Sequence, residues 1–242
     1  MNRPAAALID QLPEVPLDEL DAVAALQTRT DRKYVVTAAQ LDAALGAIAD
    51  RTRVLDIDGQ RSFAYESVYF DTSRYDSYLS AARRRPNRFK VRTRTYLDSQ
   101  HCSIEVKLRD RRQRTVKHRE AHDVARRTEF TESARAFVDD FPLLRPFSHD
   151  LRPVLTTYYQ RSTVLVGAAA SATIDTRTTC VERAGGAVSL GDWLIVETKS
   201  TGAPSDLDRA LWSMHIRPQR ISKFAVGLAT LRPALPSNPW HR

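Results

Sequence analysis

The clearest chemical pattern in this sequence is a row of basic residues at every second position of RFKVRTRTY: Arg88, Lys90, Arg92 and Arg94. In an extended strand successive side chains point to opposite faces of the sheet, so all four project from one face. A row of like charges is unfavourable, and it needs a polyanion, acidic neighbours or open water around it. Because guanidinium and ammonium groups match phosphate oxygens, the row favours the binding of a chain of phosphates.

Two other predicted strands carry a glutamate two residues before a lysine. IEVKLR places Glu105 and Lys107 on one face, and LIVETK does the same with Glu197 and Lys199. A third strand, RTVKHR, adds Lys117. Such faces are either solvated or line an interior filled with anions, since low-dielectric walls strengthen the repulsion between cations. In an anion-filled interior the glutamates are natural ligands for a divalent cation that bridges the phosphates.

The segment RPQRISKF adds cations at the start of a predicted helix. Ser222 can cap this helix, which places Lys223 in the first turn and Arg220 just before it. A helix N-terminus offers free N–H groups and the positive end of the dipole, so a cation there is unfavourable unless an anion binds. The pattern favours a phosphate site over the alternative, a solvent-facing lysine.

The elements that must position these residues are mostly strands. Alternating patterns predict strands over residues 32–36, 53–57, 63–70, 88–96, 102–109, 114–123, 154–165, 172–178 and 194–199. Helices are expected over residues 132–141 and over residues 207–214, the second capped by Ser205. Two more are expected after Ser222 and after Thr37, which forms a capping box with Gln40. Many antiparallel strands with a few short flanking helices predict an α+β fold, and so much strand favours a closed or nearly closed barrel.

Composition and charge indicate which kind of partner and which cellular location to expect. The 242 residues carry a formal charge of +8, which points to an anionic partner. We expect one domain over residues 17–235, between a loose lead-in at 1–16 and a tail at 236–242. Cys102 and Cys180 lack zinc-site spacing, and a reducing cytoplasm fits them best. No apolar run reaches the roughly 20 residues of a spanning helix, so no transmembrane segment is expected.

Eight motifs in order resemble the VTC (vacuolar transporter chaperone) domain over roughly residues 28–232: DRKY, SVYFDT, RFKVRTRTY, IEVKLR, YYQRS, ATIDTR, IVETK and ISKF. This domain is the polyphosphate-polymerase branch of the triphosphate tunnel metalloenzymes, or CYTH-like superfamily. The resemblance implies an antiparallel β-barrel tunnel that binds a nucleoside triphosphate, with ATP the expected one, and Mn²⁺ or Mg²⁺. It also implies transfer of the terminal phosphoryl group onto a growing polyphosphate.

The matched motifs, together with the rest of the basic row, give the expected site residues. Catalytic roles are assigned to Arg92, Arg94, Lys107, Lys199 and Lys223. Phosphate-binding roles are assigned to Lys33, Arg88, Lys90, Lys117, Arg161, Arg177 and Arg220. Glu197 is the expected principal metal ligand, and Glu105 is the second.

Departures from the family pattern bear on the reaction. Hydrolytic members of the superfamily carry two glutamates and a lysine on the N-terminal strand, whereas TDRKY here offers Asp31 and Lys33. Fewer carboxylates favour transfer over hydrolysis. Arg220 stands where the polymerase branch has lysine, which keeps the charge and changes the geometry.

Two other functions remain open at this point. The second enzymatic hypothesis is a metal-dependent triphosphatase. The non-catalytic hypothesis is a polyphosphate-binding module that works with a separate membrane partner. Nucleic acid is not expected as a partner, since the basic residues follow strand parity and do not form an exposed stripe. The sequence leaves nucleotide preference, product length and oligomeric state undetermined.

Two features have competing explanations. The aromatic residues between positions 63 and 78 could stack on a nucleobase, but core packing is the favoured explanation. Asp71 could pair with a tunnel arginine or cap the following turn. No catalytic role is assigned to it.

Overall fold

The computed structural model describes residues 7–24, 30–110, 115–183 and 185–237. The strands are β1 (Glu14–Val15), β2 (Thr30–Val36), β3 (Thr52–Leu55), β4 (Phe63–Asp71), β5 (Arg88–Tyr96), β6 (His101–Arg109), β7 (Thr115–Ala121), β8 (Arg152–Val166), β9 (Ala170–Glu182), β10 (Ala187–Ser189) and β11 (Leu194–Ser200). The helices are α1 (Leu17–Ala24), α2 (Ala38–Gly46), α3 (Asp76–Ala82), α4 (Glu132–Asp139), α5 (Asp206–Ser213) and α6 (Lys223–Leu231). The predicted α+β class, built on antiparallel strands with short helices, is confirmed.

The chain divides into two compact units. Unit 1 comprises residues 1–63, 159–178 and 190–220, and unit 2 comprises residues 64–158, 179–189 and 221–242. The strands β8 and β9 contribute residues to both. The single domain expected over residues 17–235 stays a prediction beside this division.

Unit 1 is a sheet covered on one face by helices. Its strand order is β2–β11–β9–β8, and β3 pairs antiparallel with β8 and parallel with β1. Alternate residues of β2 and β11, such as Tyr34 and Val196, pack with Leu41 of α2 and Leu207 of α5 in one buried cluster. The opposite side of β2 and β11 carries the polar residues discussed below.

Unit 2 contains the antiparallel order β4–β5–β6–β7. Val91 of β5 and Val106 of β6 pack against Ala134 and Val138 of α4 in one buried cluster. A second cluster joins Tyr69 of β4 to residues of α6, the first of which is Phe224. Helix α4 therefore covers one face of the β5–β6 pair, and the opposite face is left to charged residues.

Helix starts were the most predictable local features. The helix expected after Thr37 is α2, and both hydrogen bonds of its capping box form: Gln40 N donates to Thr37 Oγ1 (3.3 Å) and Thr37 N donates to Gln40 Oε1 (2.9 Å). Ser205 and Ser222 cap α5 and α6, as expected. Strand β5 has the predicted bounds, while the first residue of the strand expected at 114–123 lies outside the described residues.

Helix α3 is absent from the sequence-based assignment because its start depends on a carboxylate on the preceding strand. Asp71 accepts hydrogen bonds from Ser77 N (2.8 Å) and Tyr78 N (2.9 Å), and its side chain is fully buried. It satisfies two of the free N–H groups of the first turn. Of the two explanations for Asp71, the cap is therefore the correct one.

The two chain ends are described only in part. Of the lead-in expected at 1–16, residues 7–16 are described, and Ile9, Leu12 and Val15 in it are buried. These apolar side chains pack against the unit 1 sheet, so this part is not loose. The tail expected at 236–242 is described only as far as residue 237. No helix in the described ranges has the length and apolar composition that crossing a membrane requires.

Gly227 marks the closest packing of α6 against the unit 2 strands. A Cβ atom at this position would lie 2.6 Å from Cys180 Sγ and 2.8 Å from Cys180 Cβ. We expect Gly227→Ala to destabilise the protein by about 1–3 kcal/mol, because real packing does not allow such a contact. Without this close contact, replacing a helical glycine with alanine would stabilise the protein by up to about 1 kcal/mol.

Urea unfolding of the wild type and of Gly227→Ala measures this difference in stability. The matched control is Gly46→Ala at the end of α2, where a Cβ atom would meet only Leu8 Cδ2 at 3.9 Å. The control should be at least as stable as the wild type. A Gly227→Ala protein that equalled the wild type would contradict the described packing of α6.

Candidate phosphate-binding faces

The two faces of β5 differ as the sequence predicted. Phe89, Val91, Thr93 and Thr95 are buried, whereas the alternate basic residues are only half-buried. Since Phe89 and Val91 belong to the cluster under α4, the basic row lies on the opposite face of the sheet. Of the four strands, β7 is exposed along its whole length.

Strand register arranges this face of unit 2, the unit 2 basic face, into ranks of directly opposed residues. In order along β5 they are the aromatic rank (Tyr65, Tyr96, His101), the Arg94 rank (Ser67, Arg94, Ser103, Ala121), the Glu105 rank (Tyr69, Arg92, Glu105, Arg119), the lysine rank (Lys90, Lys107, Lys117) and a last rank of Arg88, Arg109 and Thr115. Successive ranks lie about 6.8 Å apart, two residues along a strand.

The lysine rank concentrates like charge. Lys90 opposes Lys107 across β5 and β6, and Lys107 opposes Lys117 across β6 and β7. Neighbouring strands are about 4.8 Å apart, and like charges directly opposite one another are destabilising. Lys107 and Lys117 are exposed, so an anion can reach them. The arrangement suits a ligand with several negative charges.

Glu105 is the carboxylate that balances part of this charge. Arg92 Nε donates to Glu105 Oε2 (2.7 Å), Lys117 Nζ contacts Oε1, and Arg94 Nη1 lies 3.9 Å from Oε1. Burial alone would raise the pKa of Glu105, but the charges of these three cations outweigh it and hold the pKa well below its ordinary value. Glu105 is therefore ionised and saturated, so a metal ion could bind it only by displacing Arg92 or Lys117.

An aromatic pair supports the lysine rank at the start of α6. The rings of Tyr69 and Phe224 stack with centroids 5.0 Å apart, and Lys90 Nζ lies 5.6 Å from the Phe224 centroid. Arg92 Nη1 donates to Tyr69 Oη (3.2 Å). Lys223 precedes Phe224 as the first residue of α6, so it lies at the helix N-terminus beside this end of the face.

The corresponding face of unit 1, the unit 1 basic face, is built around Glu197. Register pairs Glu197 of β11 with Lys33 of β2, and Lys33 Nζ lies 2.6 Å from Glu197 Oε1. Lys199 lies two residues further along the same face. Burial would raise the pKa of Glu197, but Lys33, Lys199 and Arg161 together hold it well below the ordinary value. Glu197 is thus an ionised carboxylate among three cations.

Arg161 has a carboxylate partner that sequence reasoning missed. Its Nε donates to Asp175 Oδ1 (2.6 Å) and its Nη2 to Asp175 Oδ2 (2.9 Å), which fixes the guanidinium plane in a bidentate pair. Asp175 is 2 % exposed. The signal was present in ATIDTR, where Asp175 follows Thr173 by two residues on β9 and so shares its face.

A buried network fixes the strands of the unit 1 basic face from behind. Asp208 of α5 is fully buried, and its Oδ1 accepts from Tyr34 Oη (2.6 Å) and Thr198 Oγ1 (2.7 Å). Tyr34 follows Lys33, and Thr198 follows Glu197. Helix α5 therefore holds the two strands that present the Lys33–Glu197 pair.

Two assigned residues stand apart from these contacts. Arg177 is exposed and has a positive φ of 49°, a conformation that interrupts regular alternation along β9. Arg220 is also exposed, directly after Gln219, whose N–H donates to Lys33 O (2.7 Å). Their phosphate-binding roles, like the other site assignments, stay predictions.

The chain has identifiable relatives. The chain matches the VTC domain family over residues 28–232, most of its length, and it belongs to that family. The family predicted from the motifs is confirmed, and it indicates a polyphosphate-related enzyme. No curated protein matches the chain.

The chain is similar to solved structures of proteins from other sources. The PH1819 protein of Pyrococcus horikoshii OT3 is 14% identical with a TM-score of 0.47, and the match covers 85% of this chain and 99% of that one. HpAC1 of Hippeastrum, a candidate adenylyl cyclase described as having a dominant triphosphatase activity, is 13% identical with a TM-score of 0.47, covering 81% and 93%. At this distance their activities are not transferred to the chain.

The charge balance of the unit 2 basic face can be tested through Glu105→Gln. We expect a loss of about 2 kcal/mol of unfolding free energy at pH 7, because Arg92 and Lys117 lose their counter-charge while staying partly solvated. The pKa of Glu105 is 4.5 when unperturbed and lower in the folded protein, so this stabilisation is present above pH 4.5 and is lost as the pH falls below it.

Urea unfolding between pH 7 and pH 3 checks both statements. The difference between wild type and Glu105→Gln should be constant down to about pH 5 and then narrow. Glu129→Gln is the control, since Glu129 is 54% exposed and pairs with Arg126 at the surface. A gap that persisted unchanged at pH 3 would show that the loss is not electrostatic.

Proposed function

We propose that this protein is a polyphosphate polymerase that transfers the terminal phosphoryl group of a nucleoside triphosphate, with ATP the expected donor, onto a growing polyphosphate. The observation that carries the proposal is the lysine rank, in which Lys90, Lys107 and Lys117 are held in register on adjacent strands. Such a rank is unfavourable alone and favourable against a chain of phosphates. Family membership supports the same chemistry.

Phosphoryl transfer asks a protein mainly for positioning and for stabilisation of charge. In the reaction, the bond between the γ-phosphorus and the ADP oxygen breaks, while a terminal oxygen of the polyphosphate bonds to that phosphorus. One ADP leaves for each phosphoryl unit added. We propose that each basic face binds phosphoryl oxygens, with Arg92, Arg94 and Lys107 acting in unit 2 and Lys33, Arg161 and Lys199 in unit 1.

The tunnel fold implies a divalent cation, and the residues around Glu197 fit one that arrives with the triphosphate. Within the described ranges, no group of three or more His, Cys, Asp or Glu side chains is placed to hold a metal by itself. Mg²⁺ commonly binds through one or two carboxylates plus substrate phosphates, and Glu197 is an ionised carboxylate whose Oε1 is paired with Lys33. A bound cation would bridge phosphate oxygens and neutralise charge during transfer.

Incubation of the purified protein with ATP and Mn²⁺, followed by gel electrophoresis of the product, tests the proposal. We expect long polyphosphate from the wild type and a reduction of about 100-fold or more in Glu197→Gln, which loses a charge needed at the reacting phosphates. Glu129→Gln removes a carboxylate from the surface and should keep full activity.

Phosphate release from tripolyphosphate, measured in parallel, separates the other functions. Free phosphate without polymer would replace the polymerase with a metal-dependent triphosphatase. Binding of polyphosphate with neither product would leave a non-catalytic binding module that works with a separate partner. Either result would contradict the proposed polymerase activity.

A further inference from the structure

We propose that the aromatic rank, formed by Tyr65, Tyr96 and His101, stacks against the base of a nucleoside triphosphate whose phosphates extend along β5 toward the lysine rank. The inference rests on the proposed function, because it takes a nucleotide as the ligand. It adds a base subsite and a direction for the triphosphate, both within unit 2.

The aromatic rank is a preformed and supported platform. The ring centroids of Tyr65 and Tyr96 are 4.8 Å apart, and those of Tyr96 and His101 are 5.9 Å apart. The end of β5 is tied to β4 beside this rank, since Leu97 N donates to Ala64 O (2.9 Å). Both tyrosines are half-buried and His101 is exposed, so ring surface remains accessible. Aromatic rings of this kind bind a nucleobase through its π-face.

The next rank has hydrogen-bonding groups of the kind that a ribose and its first phosphate require. Arg94 is flanked there by Ser67, Ser103 and Ala121. Ser67 Oγ and Arg94 Nε are buried and have no hydrogen-bond partner among the described residues. Buried polar groups are normally paired, so these two atoms point to a ligand hydroxyl or phosphate oxygen.

The order of the remaining ranks matches the order of groups in the ligand. Arg92 lies four residues from Tyr96, about 14 Å along the strand, and Lys90 lies about 20 Å away. A base at the aromatic rank therefore directs the phosphates to Arg92 first and to the lysine rank next. Lys223, at the N-terminus of α6 beside Phe224, lies at the phosphate end of this path.

The opposite direction is unfavourable. A base at the lysine rank would displace phosphate from three cations, and the phosphates would then meet Tyr96 and Tyr65, which offer rings where charge is needed. The sequence interpretation favoured core packing for the aromatic residues at 63–78, and Tyr69, Phe70 and Tyr78 are indeed buried. Tyr65 differs from them because it is only half-buried, and it opposes Tyr96 across β4 and β5.

Equilibrium binding of three probes tests the base subsite: ATP, ribose 5-triphosphate and tripolyphosphate, each with Mg²⁺. The wild type should bind ATP more tightly than ribose 5-triphosphate by about five-fold or more, the minimum expected from stacking one base. Tyr96→Leu should remove this difference and leave tripolyphosphate affinity unchanged. Tyr96→Phe, which keeps the ring, should retain it.

Two further variants make the result decisive. Tyr158→Leu is the matched control, because Tyr158 is exposed and lies within electrostatic reach of Glu66 and Arg127, away from the aromatic rank. His101→Ala removes an exposed ring, so it should weaken ATP binding even if Tyr96→Leu fails to fold. Equal affinity of the wild type for ATP and ribose 5-triphosphate, or equal loss of all three probes in both aromatic variants, would overturn the inference.

These outcomes are separate from those of the polymerase assay. A protein that binds ATP through its base but forms no polymer would retain the subsite and lose the proposed reaction. A protein that forms polymer while ignoring the base would retain the reaction and lose the subsite.

Discussion

Surplus positive charge around two ionised carboxylates is the constraint on which the rest of the structure depends. Glu105 in unit 2 and Glu197 in unit 1 are each surrounded by three cations, and both have pKa values held below the ordinary range. The single charge of Glu105 cannot neutralise three cations by itself, so the unit 2 basic face retains a field that attracts polyanions. In unit 1, Asp175 adds a second carboxylate that pairs with Arg161. The backbone must hold the cations in place against their mutual repulsion.

Buried carboxylates on the helix side of each sheet supply that rigidity. Asp208 joins α5 to β2 and β11 through Tyr34 and Thr198, and Asp71 fixes the start of α3 at the end of β4. The chain thus uses acidic residues in two ways, as counter-charges on the basic faces and as hydrogen-bond acceptors behind them.

Local patterns predicted more of the fold than of the site. The alternation in RFKVRTRTY gave β5 its bounds and its two faces, and Thr37 and Ser205 located two helix starts, because these signals need only a few adjacent residues. The bidentate partner of Arg161 and helix α3 were not predicted, since Asp175 pairs with a residue on another strand and α3 depends on Asp71, which precedes it across an intervening turn. The cap by Asp71 was only one of two explanations for that residue. Strand register, which creates the lysine rank, depends on pairing that no single strand encodes.

The alternation of β5 has a consequence for how this gene can tolerate insertions and deletions. Removal of one residue from the middle of the strand would exchange its faces for the remaining length. Arginines would then enter the cluster under α4, while Val91 or Thr93 would face outward. The length of this strand is therefore constrained more strictly than its composition. Arg–Lys exchanges preserve the charge of the basic face. Loss of one codon without a frameshift would disrupt both the buried face and the charged face of the strand.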